Sequence, residues 1–224
     1  MHKINTVLFD LDGTLVDSVP DLALSLNLAL NDLGYAQYSE SEVRNWVGNG
    51  ARMLVKRGLS GSTKVVPSLS EAVVEQAFSR FIHHYREQLG KYSHLYPNVK
   101  STLQRLFDHN IQLAVVTNKP TEFVAPILQS FDIAHYFKAT LGGDALAQKK
   151  PSPLPLIHLC TSLGSTPEHC IMVGDSKNDI LAAKAANMKS VGLSYGYNYG
   201  EDIAQHHPDW VFDDFSEVAS LFNG

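Results

Sequence analysis

The sequence predicts an α/β protein with a doubly wound, Rossmann-like parallel sheet as its core and a small inserted helical cap. Three observations predict this fold class. From about residue 95 onward, short apolar runs alternate with helical patterns, an order typical of parallel sheets covered by helices. The runs are apolar throughout, as expected for strands buried on both faces. The stretch from about 18 to 92 has helical spacing and no convincing strand.

The first predicted strand covers residues 4–9 and ends in Val7-Leu8-Phe9. Further strands are expected at 113–116, 139–141, 171–173, 191–193 and 210–212. Helical spacing of apolar residues lies between them, and two patterns illustrate it: Val99, Leu103, Leu106 and Phe107, then Phe123, Ile127, Leu128 and Phe131. Strands and helices therefore alternate along the second part of the chain.

The helical stretch predicts an insertion after the first strand. One face consists of Leu22, Leu26, Ala29, Leu30 and Leu33, with Gly34 as a stop signal. A second, longer face consists of Val73, Val74, Ala77, Phe78, Phe81, Ile82 and Tyr85. We expect a catalytic core of residues 1–16 and 93–224 and a helical cap of residues 17–92. The chain should leave the sheet at 15–18 and return near 90–97, through two hinges side by side.

Charge and composition limit the classes of partner. The chain has 18 basic and 23 acidic residues and a net charge of −5, which favours neither nucleic acid nor an anionic membrane. No apolar stretch approaches the length of a membrane span. Cys160 and Cys170 lie in apolar surroundings and are interpreted as reduced thiols. A disulfide between them is the alternative that the sequence leaves open. With a strand expected from residue 4, there is no room for a signal peptide, and the expected location is the cytoplasm.

Asp10 and Asp12 follow the first strand directly, with Gly13 and Thr14 behind them. The carboxyl ends of parallel strands form the ligand-binding edge of an open sheet. Two carboxylates so close repel each other unless a cation neutralises them or one takes a proton. Asp10 could attack phosphorus or hold a cation, and Asp12 could exchange a proton at the same centre. The alternative for a single Asp here is a helix cap or a turn.

Two further segments carry groups suited to phosphate. Thr117 and Asn118 end the strand at 113–116, where a hydroxyl and backbone N–H groups could bind phosphoryl oxygens; helix capping explains them equally well. Lys150 precedes Pro151 and could neutralise phosphate together with Asp10, whereas Lys149 is expected at the surface. A solvated lysine pair is the alternative.

Asp175 and Asp179 follow the strand at 171–173. If a helix starts at Ser176, Asp175 is its N-cap and Asp179 lies one turn later on the same side. A doubly wound sheet gathers all these strand ends at one edge. Acids, a hydroxyl and a lysine at that edge describe a phosphoryl-transfer site that uses Mg²⁺, a cation that prefers oxygen ligands.

These residues resemble the motifs of the haloacid dehalogenase superfamily, which are Asp-x-Asp-Gly-Thr, a strand-end Ser or Thr, a Lys, and Gly-Asp-x-x-x-Asp. All four occur here in that order, from residue 10 to 179. The resemblance implies Asp10 as a nucleophile that forms an aspartyl-phosphate, and Asp12 as general acid and then base. It also implies the following roles: Thr117 and Lys150 bind phosphate, and Asp10, the Asp12 carbonyl and Asp175 ligate Mg²⁺, with Asp179 as a further ligand or a support.

Dehalogenases of this superfamily lack the second aspartate, so Asp12 favours phosphoryl transfer. Three other segments, at 17–22, 44–51 and 195–200, resemble the bacterial members that hydrolyse 2-phosphoglycolate. In the cap, Gly48, Asn49 and Gly50 could offer N–H groups and an amide to a small carboxylate. Arg52 or Lys56 could add positive charge, and a solvated helix face is the equally weighted alternative.

We therefore expect an Mg²⁺-dependent phosphatase that acts on a small phosphorylated acid, foremost 2-phosphoglycolate. A sugar-phosphate phosphomutase shares every core motif and stays an alternative. A phospho-ligand binding module without catalysis is a second alternative, although the intact Asp10 and Asp12 speak against it. The sequence leaves the oligomeric state open.

Overall fold

The structure, a computed structural model, describes residues 4–222. Its strands are β1 (Thr6–Phe9), β2 (Val16–Asp17), β3 (His94–Leu95), β4 (Gln112–Val116), β5 (Ala139–Leu141), β6 (Cys170–Gly174), β7 (Lys189–Leu193) and β8 (Trp210–Phe212). Its α-helices are α1 (Val19–Asn31), α2 (Glu40–Arg44), α3 (Ala51–Ser60), α4 (Glu71–Gln88), α5 (Val99–Asp108), α6 (Thr121–Ser130), α7 (Leu154–Ser162) and α8 (Lys177–Ala185). Within this part of the chain, no helix combines the length and hydropathy that a bilayer crossing requires.

Six strands form one parallel sheet in the order β5-β4-β1-β6-β7-β8. The first strand therefore lies in the middle, between β4 and β6. The order reverses direction at β1, and in doubly wound sheets such a switch point opens a crevice at the carboxyl ends of the strands. The predicted fold class is confirmed, and each predicted strand overlaps an observed one.

Both faces of the sheet are covered, which explains the uninterrupted apolar runs. Val7 and Phe9 point into a core that includes side chains of α5 and α6. Leu8, between them, points into a second core with side chains of α7 and α8. All three residues are fully buried. Since successive strand residues point to opposite faces, a strand covered on both sides must be apolar at every position.

The segment from 19 to 88 folds as four helices around a third core, to which Phe123 and Tyr197 from outside the segment also contribute. Leu26 and Leu30 of α1 pack there with Phe81 and Tyr85 of α4, and the two aromatic rings stack with centroids 5.5 Å apart. Both helical patterns therefore correspond to observed helices. Two helices, α2 and α3, were not expected, and α3 enters the weakly patterned stretch around residue 58.

The two chain crossings between this helical segment and the sheet lie side by side. Val16 of β2 pairs with Leu95 of β3 in a short antiparallel ribbon. Close by, the buried Asp21 carboxylate accepts hydrogen bonds from the N–H of Gly90 and of Tyr92, each at 2.8 Å, and from the Ser93 hydroxyl. Asp21 thus fastens the start of α1 to the returning chain.

Candidate active site

The site is built where three neighbouring strands end. Asp10 follows β1, Thr117 follows β4 and Asp175 follows β6. The parallel register places Phe9 opposite both Val115 and Val173, so the three polar residues emerge side by side. The predicted convergence of these strand ends at one edge of the sheet is therefore present in the structure.

Lys150 connects two of the carboxylates. Its Nζ lies 3.0 Å from Asp10 Oδ1 and 2.6 Å from Asp179 Oδ1, and it donates to the Val116 carbonyl at 2.7 Å. The side chain is buried. Burial alone would lower the pKa of the Lys150 ammonium, but the two carboxylates opposite it raise that pKa above its ordinary value. Lys150 is thus a fixed positive charge beside Asp10.

Three carboxylates converge on one point. One oxygen each from Asp10, Asp175 and Asp179 lie within 4.8 Å of one another. Burial raises the pKa of Asp10 to about 7, with Lys150 opposing that rise. Burial, then repulsion by Asp10 and Asp179, raises the pKa of Asp175 well above its usual range. The single Lys150 ammonium does not offset the mutual repulsion of these acids. A divalent cation at this point would reduce that repulsion.

Neighbouring groups fix two of these carboxylates. Asp175 accepts hydrogen bonds from the Thr14 hydroxyl and the Tyr197 N–H, both at 2.6 Å. Asp179 Oδ2 accepts from the N–H and the hydroxyl of Ser176, at 3.0 and 2.8 Å. Ser176, and not Asp175 as expected, is therefore the N-cap of α8. The helix begins one residue later because Asp175 is held across the site by residues distant in sequence.

The donor set fits Mg²⁺, which prefers oxygen ligands. The backbone also packs closely around the Asp175 carboxylate. A Cβ at Gly13 or at Gly196 would collide with the Asp175 carboxylate, so only glycine permits this approach. Asp10, Asp175 and Asp179 are the side chains placed to hold such an ion.

Asp12 points away from this carboxylate cluster. Its Oδ1 accepts from the Ser18 hydroxyl at 2.6 Å and from Lys119 Nζ at 2.9 Å. The expected metal contact of Asp12 concerns its main-chain carbonyl, which leaves the side chain available for proton exchange. The carboxylate lies instead on the side of Asp10 that faces the helical segment, since Ser18 directly precedes α1.

Lys119 is a residue of this site that the sequence reasoning missed. It is buried, and its Nζ also donates to the hydroxyl of Tyr85 from α4. Burial would lower the pKa of Lys119, but Asp12 and Tyr85 raise it above its ordinary value. The one available signal was a cation directly after Thr117-Asn118 at a strand end.

The loop Gly48-Asn49-Gly50 lies over the site. Its Gly48 carbonyl accepts hydrogen bonds from the side-chain amides of Asn118 and Asn178, at 3.0 and 3.2 Å. The Asn49 carbonyl accepts from Lys149 Nζ at 2.6 Å. Three side chains from outside the helical segment therefore hold the loop in place. Asn118 thus has an observed contact with the loop in addition to its expected one with substrate.

Two predicted binding groups of this region are placed elsewhere. Arg52 forms ion pairs with Glu71 and Glu75 of α4, and its guanidinium lies outside the cavity above Asp10. The Asn49 amide oxygen accepts from Arg57 at 2.9 Å and does not line that cavity either. Local spacing did not reveal these partners because they lie on another helix or further along α3. Lys56 likewise lies near Glu71, at 3.4 Å.

The cavity above Asp10 has a polar floor and an apolar roof. Its floor contains Asp10, Asp12, Thr117, Asn118 and Lys119. Residues of the helical segment close it from above, namely Leu22, Val47, Gly48, Gly50, Ala51, Leu54 and Tyr85. A small molecule with one strongly polar end suits such a space.

A family model of haloacid dehalogenase-like hydrolases matches residues 7–193 of the chain. The chain belongs to this family. Curated relatives of the hydrolase include the phosphoglycolate phosphatase of Colwellia psychrerythraea, 50% identical over 218 residues (97% of this chain and 96% of the relative). The phosphoglycolate phosphatase of Haemophilus influenzae is also 50% identical, over 214 residues (95% of this chain and 96% of the relative).

A solved structure supports the same relationship for the hydrolase. It is a crystal structure of a predicted phosphoglycolate phosphatase from Haemophilus somnus. Its TM-score is 0.93 at 46% sequence identity, and the match covers 100% of both chains. The similarity thus extends over the helical segment as well as the sheet.

Proposed function

We propose that this hydrolase is an Mg²⁺-dependent phosphatase of small phosphomonoesters, foremost 2-phosphoglycolate, and that it works through an aspartyl-phosphate on Asp10. The observation that carries this proposal is the buried Lys150 ammonium, 3.0 Å from Asp10 Oδ1, at a cluster where the carboxylates of Asp10, Asp175 and Asp179 converge. The names of the relatives, at about half identity over nearly the full length, favour this substrate. Phosphoglycolate is also small enough for a closed cavity.

The proposed reaction has two displacements. A carboxylate oxygen of Asp10 forms a bond to phosphorus, the ester P–O bond breaks, and the Asp12 carboxyl gives its proton to the leaving oxygen. A water molecule then attacks the same phosphorus while Asp12 takes its proton, and the Asp10–phosphorus bond breaks to release phosphate. Hydrolysis of a phosphomonoester is among the slowest uncatalysed reactions, so splitting it into two easier steps matters.

The other residues of the site supply charge and position the reacting groups in this scheme. Lys150 neutralises phosphoryl oxygens, while Thr117 and Asn118 donate to them from the end of β4. Asp10 and Asp175 would hold Mg²⁺, with Asp179 as a further ligand or a support, and Asp179 also orients Lys150 through their 2.6 Å contact. When bound, the ion supplies positive charge that offsets the phosphate and polarises a phosphoryl oxygen.

We propose the same division of the chain that the sequence predicts, with a core of residues 1–16 and 93–224 and a cap of residues 17–92. The adjacent crossings at β2 and β3 support it. Closure of such a cap excludes water during the first displacement. The free thiols of Cys160 and Cys170 suit a reducing compartment, and we propose the cytoplasm as the location.

The experiment is a phosphate-release screen of the purified protein with Mg²⁺ across small monoesters that includes 2-phosphoglycolate and glucose phosphates. We expect the highest kcat/KM for 2-phosphoglycolate. Isomer formation without phosphate release would identify a phosphomutase instead. Binding of phosphate esters without any turnover would identify a binding module.

A further inference from the structure

Lys119 stands out in the cavity above Asp10. Among the described residues that line this cavity, it is the only one with a cationic side chain. Lys119 is 4% exposed. It belongs to the polar side of the cavity but reaches the helical segment, because its Nζ lies 4.7 Å from the centre of the Tyr85 ring. Burying an ammonium is costly, so a side chain kept there calls for a partner of opposite charge.

Asp12 and Tyr85 share the hydrogen-bonding capacity of Lys119. Nζ donates to both oxygens of Asp12, at 2.9 and 3.2 Å, and to the Tyr85 hydroxyl. A lysine ammonium has three N–H donors. Because one bond is enough to hold Asp12, the donor directed at its more distant oxygen can turn to a molecule in the cavity.

The arginines of the helical segment closest to the site are committed elsewhere. Arg44 pairs with Asp17 and Glu40. Arg52 pairs with acids of α4, and Arg57 donates to the Trp46 carbonyl and to Asn49. A substrate with a second negative charge beyond its phosphate thus meets Lys119 in this cavity rather than an arginine.

We propose that Lys119 is the specificity-determining residue of the enzyme and that its ammonium binds the carboxylate of the phosphorylated acid. This inference rests on the proposed phosphatase function and names the group that selects the substrate. Lys119 is adjacent to Asp12, the acid that protonates the leaving oxygen. In a 2-phosphorylated acid, one carbon separates that oxygen from the carboxylate, so the two recognition groups must be neighbours.

Tyr85 extends the same argument to the helical segment. Its hydroxyl accepts from Lys119, and it comes from α4, whereas Lys119 comes from the end of β4. The carboxylate site is therefore complete only when the helical segment lies over the sheet. Binding of the substrate carboxylate is thus coupled to closure of the helical segment through the hydrogen bond between Lys119 and Tyr85.

The test compares 2-phosphoglycolate with ethyl phosphate, which has the same chain length and no carboxylate. In the wild-type enzyme we expect 2-phosphoglycolate to have the higher kcat/KM. Lys119→Met should lower the ratio of the two kcat/KM values by about tenfold to a hundredfold, the value of a hydrogen bond to a charged group. Lys119→Gln serves as a second neutral variant with a polar end beside Asp12. Lys119→Arg should retain most of the preference, and Lys64→Met, at an exposed lysine of the helical segment, should leave the ratio unchanged.

A binding measurement separates this role from an effect on Asp12. Carbon isosteres that are not hydrolysed, 3-phosphonopropionate and propylphosphonate, differ only in the carboxylate. The first should inhibit the wild-type enzyme more strongly, and Lys119→Met should remove that difference. Equal inhibition of the wild-type enzyme by both overturns the proposal without any variant, as does an equal fall of kcat/KM for both substrates in Lys119→Met.

The phosphatase proposal fails in a different way. If the wild-type protein with Mg²⁺ releases phosphate from no monoester, the function itself is wrong. If the wild-type protein hydrolyses ethyl phosphate and 2-phosphoglycolate with equal kcat/KM, the phosphatase function stands and the proposed role of Lys119 is wrong.

Discussion

Lys150 Nζ and Asp179 Oδ1 are 2.6 Å apart, and both side chains are almost fully buried. The same Asp179 carboxylate accepts two hydrogen bonds from Ser176 at the start of α8. The Asp179 carboxylate therefore joins Lys150 to α8, the helix that follows Asp175. This contact fixes the proposed phosphate-binding charge relative to the acids proposed to bind the metal.

Asp179→Asn should remove one of the two buried charge partners of Lys150. We expect a loss of about 3 kcal/mol in the free energy of unfolding, as when one partner of a buried ion pair is removed, and a large fall in kcat. Urea denaturation and steady-state kinetics measure the two effects. Asp202→Asn is the control, because Asp202 caps an exposed turn and should cost no more than about 1 kcal/mol. Wild-type stability in Asp179→Asn would contradict this role.

Asp10→Asn should abolish turnover while the protein stays folded. The amide has the size of the carboxylate but lacks its nucleophilicity, so we expect kcat to fall by more than about a thousandfold. Phosphate release measures the loss, and circular dichroism verifies the fold. Asp108→Asn, at an exposed position on α5, should have wild-type activity. Substantial hydrolysis by folded Asp10→Asn would mean that another group attacks phosphorus.

Mg²⁺ should stabilise the protein more at pH 8 than at pH 5. Because the pKa of Asp10 in the folded protein is about 7 against an ordinary 3.8, the folded state keeps a proton that the unfolded chain releases. The stability that this proton contributes is complete below about pH 4 and is lost as the pH rises through 7. Above that pH Asp10 is ionised, and Mg²⁺ binds it without displacing its proton. At 100 times its Kd, the ion should add about 2.7 kcal/mol.

Thermal unfolding with and without MgCl₂ at the two pH values measures this difference. Asp175→Asn should lose most of the Mg²⁺ effect at pH 8. An equal shift of Tm at both pH values would show that the ion does not compete with protons at the carboxylate cluster.

Gly13→Ala should weaken Mg²⁺ binding and activity. Gly13 has a φ of +88°, and a methyl group there would strike the Asp175 carboxylate. The control is Gly164→Ala, since Gly164 has a φ of +66° with open space around its Cβ position. The control separates backbone strain from collision. We expect at least about a tenfold increase in the Mg²⁺ concentration for half-maximal activity in Gly13→Ala only, and similar behaviour of the two variants would argue against a tight fit around Asp175.

Sequence patterns predicted the sheet well because burial on both faces leaves a direct trace in the residues themselves. Val7, Leu8 and Phe9 are apolar for that reason, and the acid at position 10 marks the strand end. Parallel pairing then brings Asp10, Thr117 and Asp175 together whatever the details of packing. The ribbon of β2 and β3 has two residues in each strand, too few to form a pattern.

Contacts between side chains far apart in sequence could not be predicted in the same way. Arg52 carries the right charge at the right distance from the loop at 48–50, but the acids on α4 neutralise it. Lys119 resembles a surface residue in sequence, yet Asp12 and Tyr85 hold it inside. Likewise, only the bonds across the site from Thr14 and Tyr197 explain why Asp175 does not cap α8.

The central place of β1 has a consequence for synthesis of the chain. Thr6, at its start, pairs with Gln112 on one side and with Cys170 on the other, so this strand leaves the ribosome well before both of its neighbours. Its backbone N–H and C=O groups and its apolar side chains stay without partners while the helices that follow are already able to pack. Completion of the sheet around the strand that precedes Asp10 is therefore a late event in folding, and a nascent chain that stalls before β6 emerges exposes an unpaired, aggregation-prone strand edge.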